Sequence, residues 1–238
     1  MNLILLFDDD FIAPGRVRLA GRRREHVVKV HRASQGDELV VGVAGGGVGR
    51  GRVVSVEGEG IELDVEIDGV PPSAVPLTLI VAVPRPKVLN RVIASAVSMG
   101  VKRLFLINAW RVEKSYWSSP RMHPENFLHQ AILGLEQAKD TILPSIETRR
   151  FFRQFVEDEL PELARGTRAL VAHPQAEVEC PRGVSEPVTL VIGPEGGFID
   201  AELASLQRAG FAAISLGPRV LRVETAIAAL LGRLSSGT

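Results

Sequence analysis

The rhythm of apolar and polar positions changes once along the chain. Over roughly the first seventy residues, short Val/Ile-rich runs predict strands at Asn2–Phe7, Glu38–Val43, Gly51–Val56 and Ile61–Ile67. The last three are separated by glycine-containing turns. GGGVGRG at 45–51 reads as a hairpin-type connection, because glycine accepts positive φ. It lacks the Lys-Ser/Thr pair and the following helix that a phosphate loop requires. One basic helix is expected near Arg23–Arg32. GVPPSAVP at 69–76 can continue neither a helix nor a central strand, and it marks a domain junction.

Beyond the junction, strands and helices alternate. Strands are expected at Leu77–Val83, Arg103–Asn108, Ala169–Ala172, Val188–Ile192 and Ala213–Leu216. Helices are expected at Val88–Met99, ending on Gly100, and at Pro124–Lys139, Phe151–Leu163, Asp200–Ala209 with Asp200 as N-cap, and Val223–Leu234. Near-continuous apolar strands between helices imply a mainly parallel sheet covered on both faces. The predicted architecture is α/β: a small N-terminal β-barrel over residues 1–70, then an α/β domain over residues 75–238.

Composition narrows the setting. Of 238 residues, 45% are hydrophobic and 24% charged, which suits a soluble protein with a real core. No apolar run approaches the roughly 20 residues needed to cross a bilayer. MNLILLFDDDF has no basic region before its apolar run and is a poor signal peptide, so a cytoplasmic location is expected. A single cysteine, Cys180, excludes an internal disulfide framework.

The net charge is zero but unevenly spread. Residues 16–35 hold seven Lys/Arg (Arg16, Arg18, Arg22, Arg23, Arg24, Lys29, Arg32) against Glu25 alone. Residues 85–121 hold eight (Arg85, Lys87, Arg91, Lys102, Arg103, Arg111, Lys114, Arg121) against Glu113 alone, and residues 53–82 hold six acids and no base. A polyanion responds to a local patch rather than to the average, although charge runs also serve simply as solvated faces.

Ligands of open α/β sheets bind beyond the carboxyl ends of strands. Three such ends stand out: Ala172-His173-Pro174, Gly193-Pro194-Glu195-Gly196-Gly197 and Leu216-Gly217-Pro218-Arg219. Two are Gly/Pro loops that let a ligand approach main-chain groups closely. LRVETA follows, and a helix starting near Leu221 would set Arg222 and Thr225 on one face beside those loops. The alternative is a helix-start arginine paired with Glu224 or Glu202.

LVIGPEGGFIDAEL at 190–203 and SLGPRVLRVETA at 215–226 closely resemble the two C-terminal signatures of the RsmE family, SPOUT-class enzymes that methylate uridine N3 in small-subunit (16S) ribosomal RNA. EHVVKVHRASQGDELVV at 25–41 and GLEQAKDTILPSI at 134–146 resemble that family's N-terminal and central motifs more loosely. The resemblance implies a PUA-like RNA-binding barrel, a SPOUT domain with a C-terminal trefoil knot, and a homodimer. It also implies S-adenosyl-L-methionine (SAM) as cofactor, held mostly by backbone in the loops around Ala172, His173, Gly193, Pro194, Glu195, Gly196, Gly197, Leu216, Gly217, Arg219 and Leu221. Two departures concern the target: Asp140 stands where the family usually has Arg, and residues 94–101 read ASAVSMGV without the usual Lys and Glu.

Methyl transfer to uracil N3 needs a cation near the carbonyls that gain charge, and Arg222 is the candidate. Glu195 or Glu224 could accept the proton or grip the cofactor amine, and Thr225 completes the catalytic set. Arg22, Arg23, Arg24, Lys29, Arg85, Arg111 and Lys114 are the expected RNA contacts. In NAWRVEKSYWSSPR (108–121), Trp110, Tyr116 and Trp117 could stack unpaired bases, or the tryptophans could pack into the core or a dimer contact. His26, His31, His123, His129 and His173 form no metal-type spacing with Cys180 or with acids, so no metal is expected. The expected partner is small-subunit RNA or the 30S subunit, with neither DNA nor a membrane. Rivals are a ribose- or tRNA-directed methyltransferase of the same fold, and a non-catalytic RNA-binding protein. An oxidoreductase is disfavoured because no GxGxxG follows an early strand.

Overall fold

The computed structural model of the chain describes residues 2–30 and 32–235, so His31, included in the histidine survey, lies outside the described residues. The fold is mixed α/β with two six-stranded sheets. The chain divides into two compact units: residues up to Ser73 with Ile132–Leu143, and Ala74–Ala131 with the residues from Pro144 onward.

In the first unit β1 (Ile4–Leu6), β2 (Phe11–Ala13), β3 (Arg16–Leu19), β4 (Glu38–Val43), β5 (Val48–Glu57) and β6 (Gly60–Gly69) form a sheet in the order β1-β4-β5-β6-β3-β2. β1 runs parallel to β4 and the other pairings are antiparallel. Period-two alternation sends Val17, Leu19, Leu39, Val41, Ile61 and Leu63 into one core. Full burial of such side chains contributes about 1.5–3 kcal/mol each. β2 and β3 were not expected from the sequence. β2 is three residues long and largely exposed, so its apolar pattern is too short to register. Gly49 lies so close to β6 that a Cβ would fall 1.9 Å from the Glu66 carbonyl oxygen, a backbone approach only glycine allows. α1 (Gly21–Glu25) continues through a wider π-type turn at His26–Val30.

Residues 132–143 join this unit, although the sequence reading placed them in the second. The Leu3 N–H donates to the Glu136 carbonyl at 2.9 Å, and the Thr141 hydroxyl donates to the Gly46 carbonyl. Arg22 forks onto the Glu136 carboxylate at 3.1 and 3.2 Å. These partners lie about a hundred residues apart in sequence, and no local pattern announces them.

The second unit is built on a fully parallel sheet: β7 (Leu77–Ala82), β8 (Arg103–Ile107), β9 (Ser145–Arg149), β10 (Arg168–Ala172), β11 (Val188–Ile192) and β12 (Ala212–Ile214), ordered β12-β10-β11-β7-β8-β9. Every residue of β7 and β11 is buried, as expected for strands covered on both faces. β9, an edge strand with the partly exposed sequence SIETR, was not anticipated. The helices are α2 (Pro86–Ser98), α3 (Lys114–Trp117), α4 (Pro124–Ala138, which ends in the first unit), α5 (Phe152–Gln154), α6 (Leu160–Leu163), α7 (Asp200–Arg208) and α8 (Val223–Leu234). Gly100, at φ +86°, closes α2. The N-cap of α7 is Ile199 rather than Asp200, and the Glu202 side chain supplies the missing acceptor for the Ile199 N–H at 3.1 Å. Among the described residues no helix is long and apolar enough to cross a membrane.

Candidate functional site

β12, β10 and β11 are neighbours in the sheet, so the loops at their carboxyl ends must meet. They enclose a hollow that opens to solvent. Of the predicted cofactor residues, Ala172, His173, Gly193, Pro194, Glu195, Gly197, Leu216, Gly217, Arg219 and Leu221 line it, and Gly196 does not. Not anticipated were Phe198 and the α8 face formed by Val223, Ala226 and Leu230. The i, i+3, i+7 spacing of that face was present in the sequence as a signal.

The two glycine corners differ in how they are held. Loop 193–197 is fixed on several sides. The Gly197 N–H donates to the Pro194 carbonyl at 2.8 Å, and the Glu195 carboxylate accepts the Arg85 N–H at 2.9 Å. The Arg111 guanidinium donates to the Gly196 carbonyl, and a Cβ on Gly196 would lie 2.9 Å from the Arg111 side chain. A Cβ on Gly193 would press on the Phe198 ring at 3.2 Å, so glycine there permits close packing. Loop 216–221, by contrast, has no main-chain hydrogen bond to any other described backbone group. Gly217 holds φ +100° with nothing within 4 Å of a Cβ position, so conformation rather than crowding demands glycine. The hollow therefore has one wall of fixed geometry and one wall of free backbone donors and acceptors. A concave, mostly apolar hollow with few, well-placed polar groups is the usual form of a small-molecule site.

The family model for the RNA methyltransferase domain matches residues 71–235. The chain belongs to that RNA methyltransferase family. It is 29% identical over 241 residues to the Ribosomal RNA small subunit methyltransferase E of Mycobacterium bovis, covering 98% of this chain and 91% of that one. Among solved structures, a Legionella pneumophila protein in complex with the bound cofactor SAM superposes with TM-score 0.75 at 24% identity, covering 97% of this chain and 96% of that one. A Ribosomal RNA small subunit methyltransferase E from Neisseria gonorrhoeae bound to S-adenosyl methionine gives TM-score 0.74 at 20% identity over 97% and 95% of the two chains.

In this methyltransferase the expected catalytic trio is not gathered around the hollow. Only Glu195 lines it. Arg222 is the extended N-cap of α8 (φ −66°, ψ 152°), ahead of its helical residues, and the side chains of Arg222 and Thr225 are both exposed. The helix begins at Val223, as the expected span Val223–Leu234 has it, and not near Leu221, the start on which the pairing of Arg222 with Thr225 rested. Glu224 pairs with Arg91 at 3.1 Å, and Glu202 accepts main-chain N–H groups. Among the described residues, the Arg222 guanidinium has no hydrogen-bond or ion-pair partner.

The predicted RNA contacts also separate. Arg23 pairs with the buried Asp10 and donates to the Leu5 carbonyl at 3.0 Å, and Arg22 pairs with Glu136. Arg24 donates to the Gly58 carbonyl at 2.7 Å, and Lys29 lies 3.4 Å from Glu25. Arg111 is bonded to the cofactor-side loop, and Arg85 contributes its main-chain N–H to Glu195. Lys114 is exposed. Trp117 is half-buried, donates to the Asn108 side chain at 3.0 Å and carries the Arg150 guanidinium 5.2 Å above its ring. Trp110 is 79% exposed. Asp140 is buried, and its carboxylate caps the Ile142 N–H at 2.9 Å. Ala96, Val97 and Val101 of the divergent 94–101 stretch are core residues rather than surface contacts. Cys180 is buried, and burial pushes its thiol above the ordinary range, as befits an inert thiol. Among the described residues no cluster of three or more His, Cys, Asp or Glu could hold a metal ion.

Proposed function

We propose that this chain transfers a methyl group from SAM to N3 of a uridine in small-subunit ribosomal RNA. The observation that carries the reading is the hollow itself, where free main-chain groups of residues 216–221 face a fixed glycine loop at 193–197. The residues suit an adenosyl group: the lining is largely apolar, and bare backbone can pair with an adenine edge. SAM supplies an activated methyl group, so positioning dominates the chemistry asked of the protein.

Residues 216–221 hold the adenosine through their N–H and C=O groups, and Phe198, Val223 and Leu230 exclude water around it. Glu195 keeps one carboxylate oxygen on the Arg85 N–H and offers the other to the cofactor amine or to the departing N3 proton. The unpaired Arg222, directly after the free loop, neutralises charge developing on the uracil carbonyls. Thr225 lies on that RNA-facing rim. The target base leaves its stack to reach the methyl group.

Finer features of the fold belong to the same reading. The first unit serves as a PUA-like barrel that binds RNA. Residues 173–187 form the covering loop of a trefoil knot. In support, Val178 and Cys180 bond to Ser215 at 2.9 and 2.8 Å, and Gly183 and Val184 bond to the end of α8 at 3.0 and 2.8 Å. The exposed Val178 and Val220 beside the hollow suit a homodimer contact. A ribosomal substrate suits a cytoplasmic enzyme.

The test supplies methyl-labelled SAM with bare small-subunit RNA, 30S particles or tRNA, followed by nucleoside analysis. 3-Methyluridine in small-subunit RNA is the expected product. A 2′-O-methyl product would overturn the N3 reading, and absence of SAM binding by calorimetry would overturn the cofactor site.

A further inference from the structure

Two large aromatic side chains stand in solvent at the carboxyl edge of the parallel sheet. Trp110 follows β8 and is 79% exposed, and Phe151 follows β9 and is 72% exposed. β8 and β9 are paired neighbours, and the Asn108 N–H donates to the Arg149 carbonyl at 2.9 Å where the strands end. Neither backbone is loose. The Trp110 N–H is bound by the buried Glu202 at 2.7 Å, and the Phe151 carbonyl accepts the Phe155 N–H at 3.0 Å. The next residue on each side is tied to the wall of the cofactor hollow. Arg111 bonds the Gly196 carbonyl, and the Phe152 ring lies 5.9 Å from that of Phe198. Both backbones are therefore tied to the loop that walls the site, and both rings stand in solvent.

The charge around them is positive. Segments 108–121 and 149–153 carry six bases (Arg111, Lys114, Arg121, Arg149, Arg150, Arg153) against Glu113 alone. Arg149 and Arg153 are neutralised by Glu147, Glu159 and Glu157. Arg111 and Arg121 meet carbonyls and Arg150 meets the Trp117 ring, so their charge remains, as does that of the exposed Lys114. Uncovered π-faces framed by cations match single-stranded nucleic acid, whose bases stack while its phosphates are attracted. A protein partner would call for a continuous apolar surface with matched charges.

We infer that Trp110 and Phe151 form a stacking subsite for unpaired RNA bases flanking the methylated nucleotide. This deepens the proposed methyl transfer and rests on it. Such a subsite would hold the strand beside a flipped-out target and would favour loops over duplex.

The test uses the full chain and its Trp110→Ala, Trp110→Phe and Phe151→Ala variants, with anisotropy of a labelled single-stranded oligouridylate and of a duplex RNA of equal length. Loss of stacking is expected to weaken single-strand binding roughly 5- to 30-fold for each alanine variant. Trp110→Phe is expected to recover most of the loss, while duplex affinity, SAM affinity and the salt dependence stay as in the parent. Unchanged single-strand affinity in both alanine variants would overturn the subsite while leaving methyl transfer in place. A change in sedimentation of the variants would assign the face to a contact between copies. If the parent methylates no RNA at all, the underlying reading falls and the subsite falls with it.

Discussion

The two basic regions look alike in the sequence and differ in the structure. In the first unit, Arg16, Arg22, Arg23 and Lys29 are each matched by a carboxylate, two of them in or near the core. In the second, Arg91 is likewise matched, by Glu224, whereas Arg111, Arg121 and nearby Arg150 meet carbonyls or a ring and Lys114 is exposed, so that their charge stays uncompensated. Arg16, Arg22 and Arg23 spend their charge on holding the sheet and the 132–143 segment in place, while Arg24 meets only the Gly58 carbonyl. The second leaves more of its charge for a partner. Availability of charge, rather than density along the chain, marks the candidate RNA surface.

The sharpest way to break that contrast is to remove a carboxylate from the first run. Asp10 is buried against two nitrogens of Arg23 and also accepts the Phe7 N–H at 2.7 Å. Asp10→Ala strands a guanidinium and is expected to cost about 3–5 kcal/mol in urea unfolding. RNA affinity measured under native conditions should hold. A loss of RNA binding with stability intact would reverse the assignment of this region. Next comes Arg111, which divides the second run from within. Arg111→Ala should weaken SAM binding by calorimetry about 10-fold through loss of a charge-assisted hydrogen bond to the Gly196 carbonyl. A purely phosphate-binding arginine would instead leave SAM affinity untouched. Lys114→Ala should lower single-strand RNA affinity only a few-fold and reduce the salt slope by about 0.7, the signature of one lost phosphate contact.

The smallest effect belongs to Arg16 and Asp64, an exposed pair 2.8 Å apart. The hydrogen bond from Arg16 holds the Asp64 carboxyl below its usual range. Its stabilisation is therefore present above the ordinary carboxylate pKa and fades as pH falls through the lowered value. Arg16→Ala should return Asp64 to the ordinary range in an NMR titration, with no measurable change in Tm.

Much of the second unit was legible because its strands are buried on both faces and its helices carry their own stop signals. Leu77–Ala82, Val188–Ile192 and Val223–Leu234 stand close to where apolar runs and Gly100-type caps put them. The glycine corners were legible because their positions at strand ends follow from alternation, and adjacency of β12, β10 and β11 brings them together. The short exposed β2 and the edge strand β9 were not legible, since neither has enough buried positions to impose a period. The partners of Arg22 and Arg16 were not legible either, because Glu136 and Asp64 lie 114 and 48 residues away. The role expected of Arg222 and Thr225 rested on a helix start near Leu221, whereas α8 starts at Val223 and leaves Arg222 as its extended cap.

Glu202 gives the second unit an economy of its own. Its two carboxylate oxygens are divided between the Trp110 N–H at 2.7 Å and the Ile199 N–H at 3.1 Å. One side chain thereby rivets the β8 loop to the start of α7, with both of its oxygens engaged. An amide in its place would turn a donor toward one of those N–H groups and repel it. The strand that presents an aromatic face to solvent and the turn that shapes the cofactor wall are thus clamped at a single point, and neither can drift without straining the other.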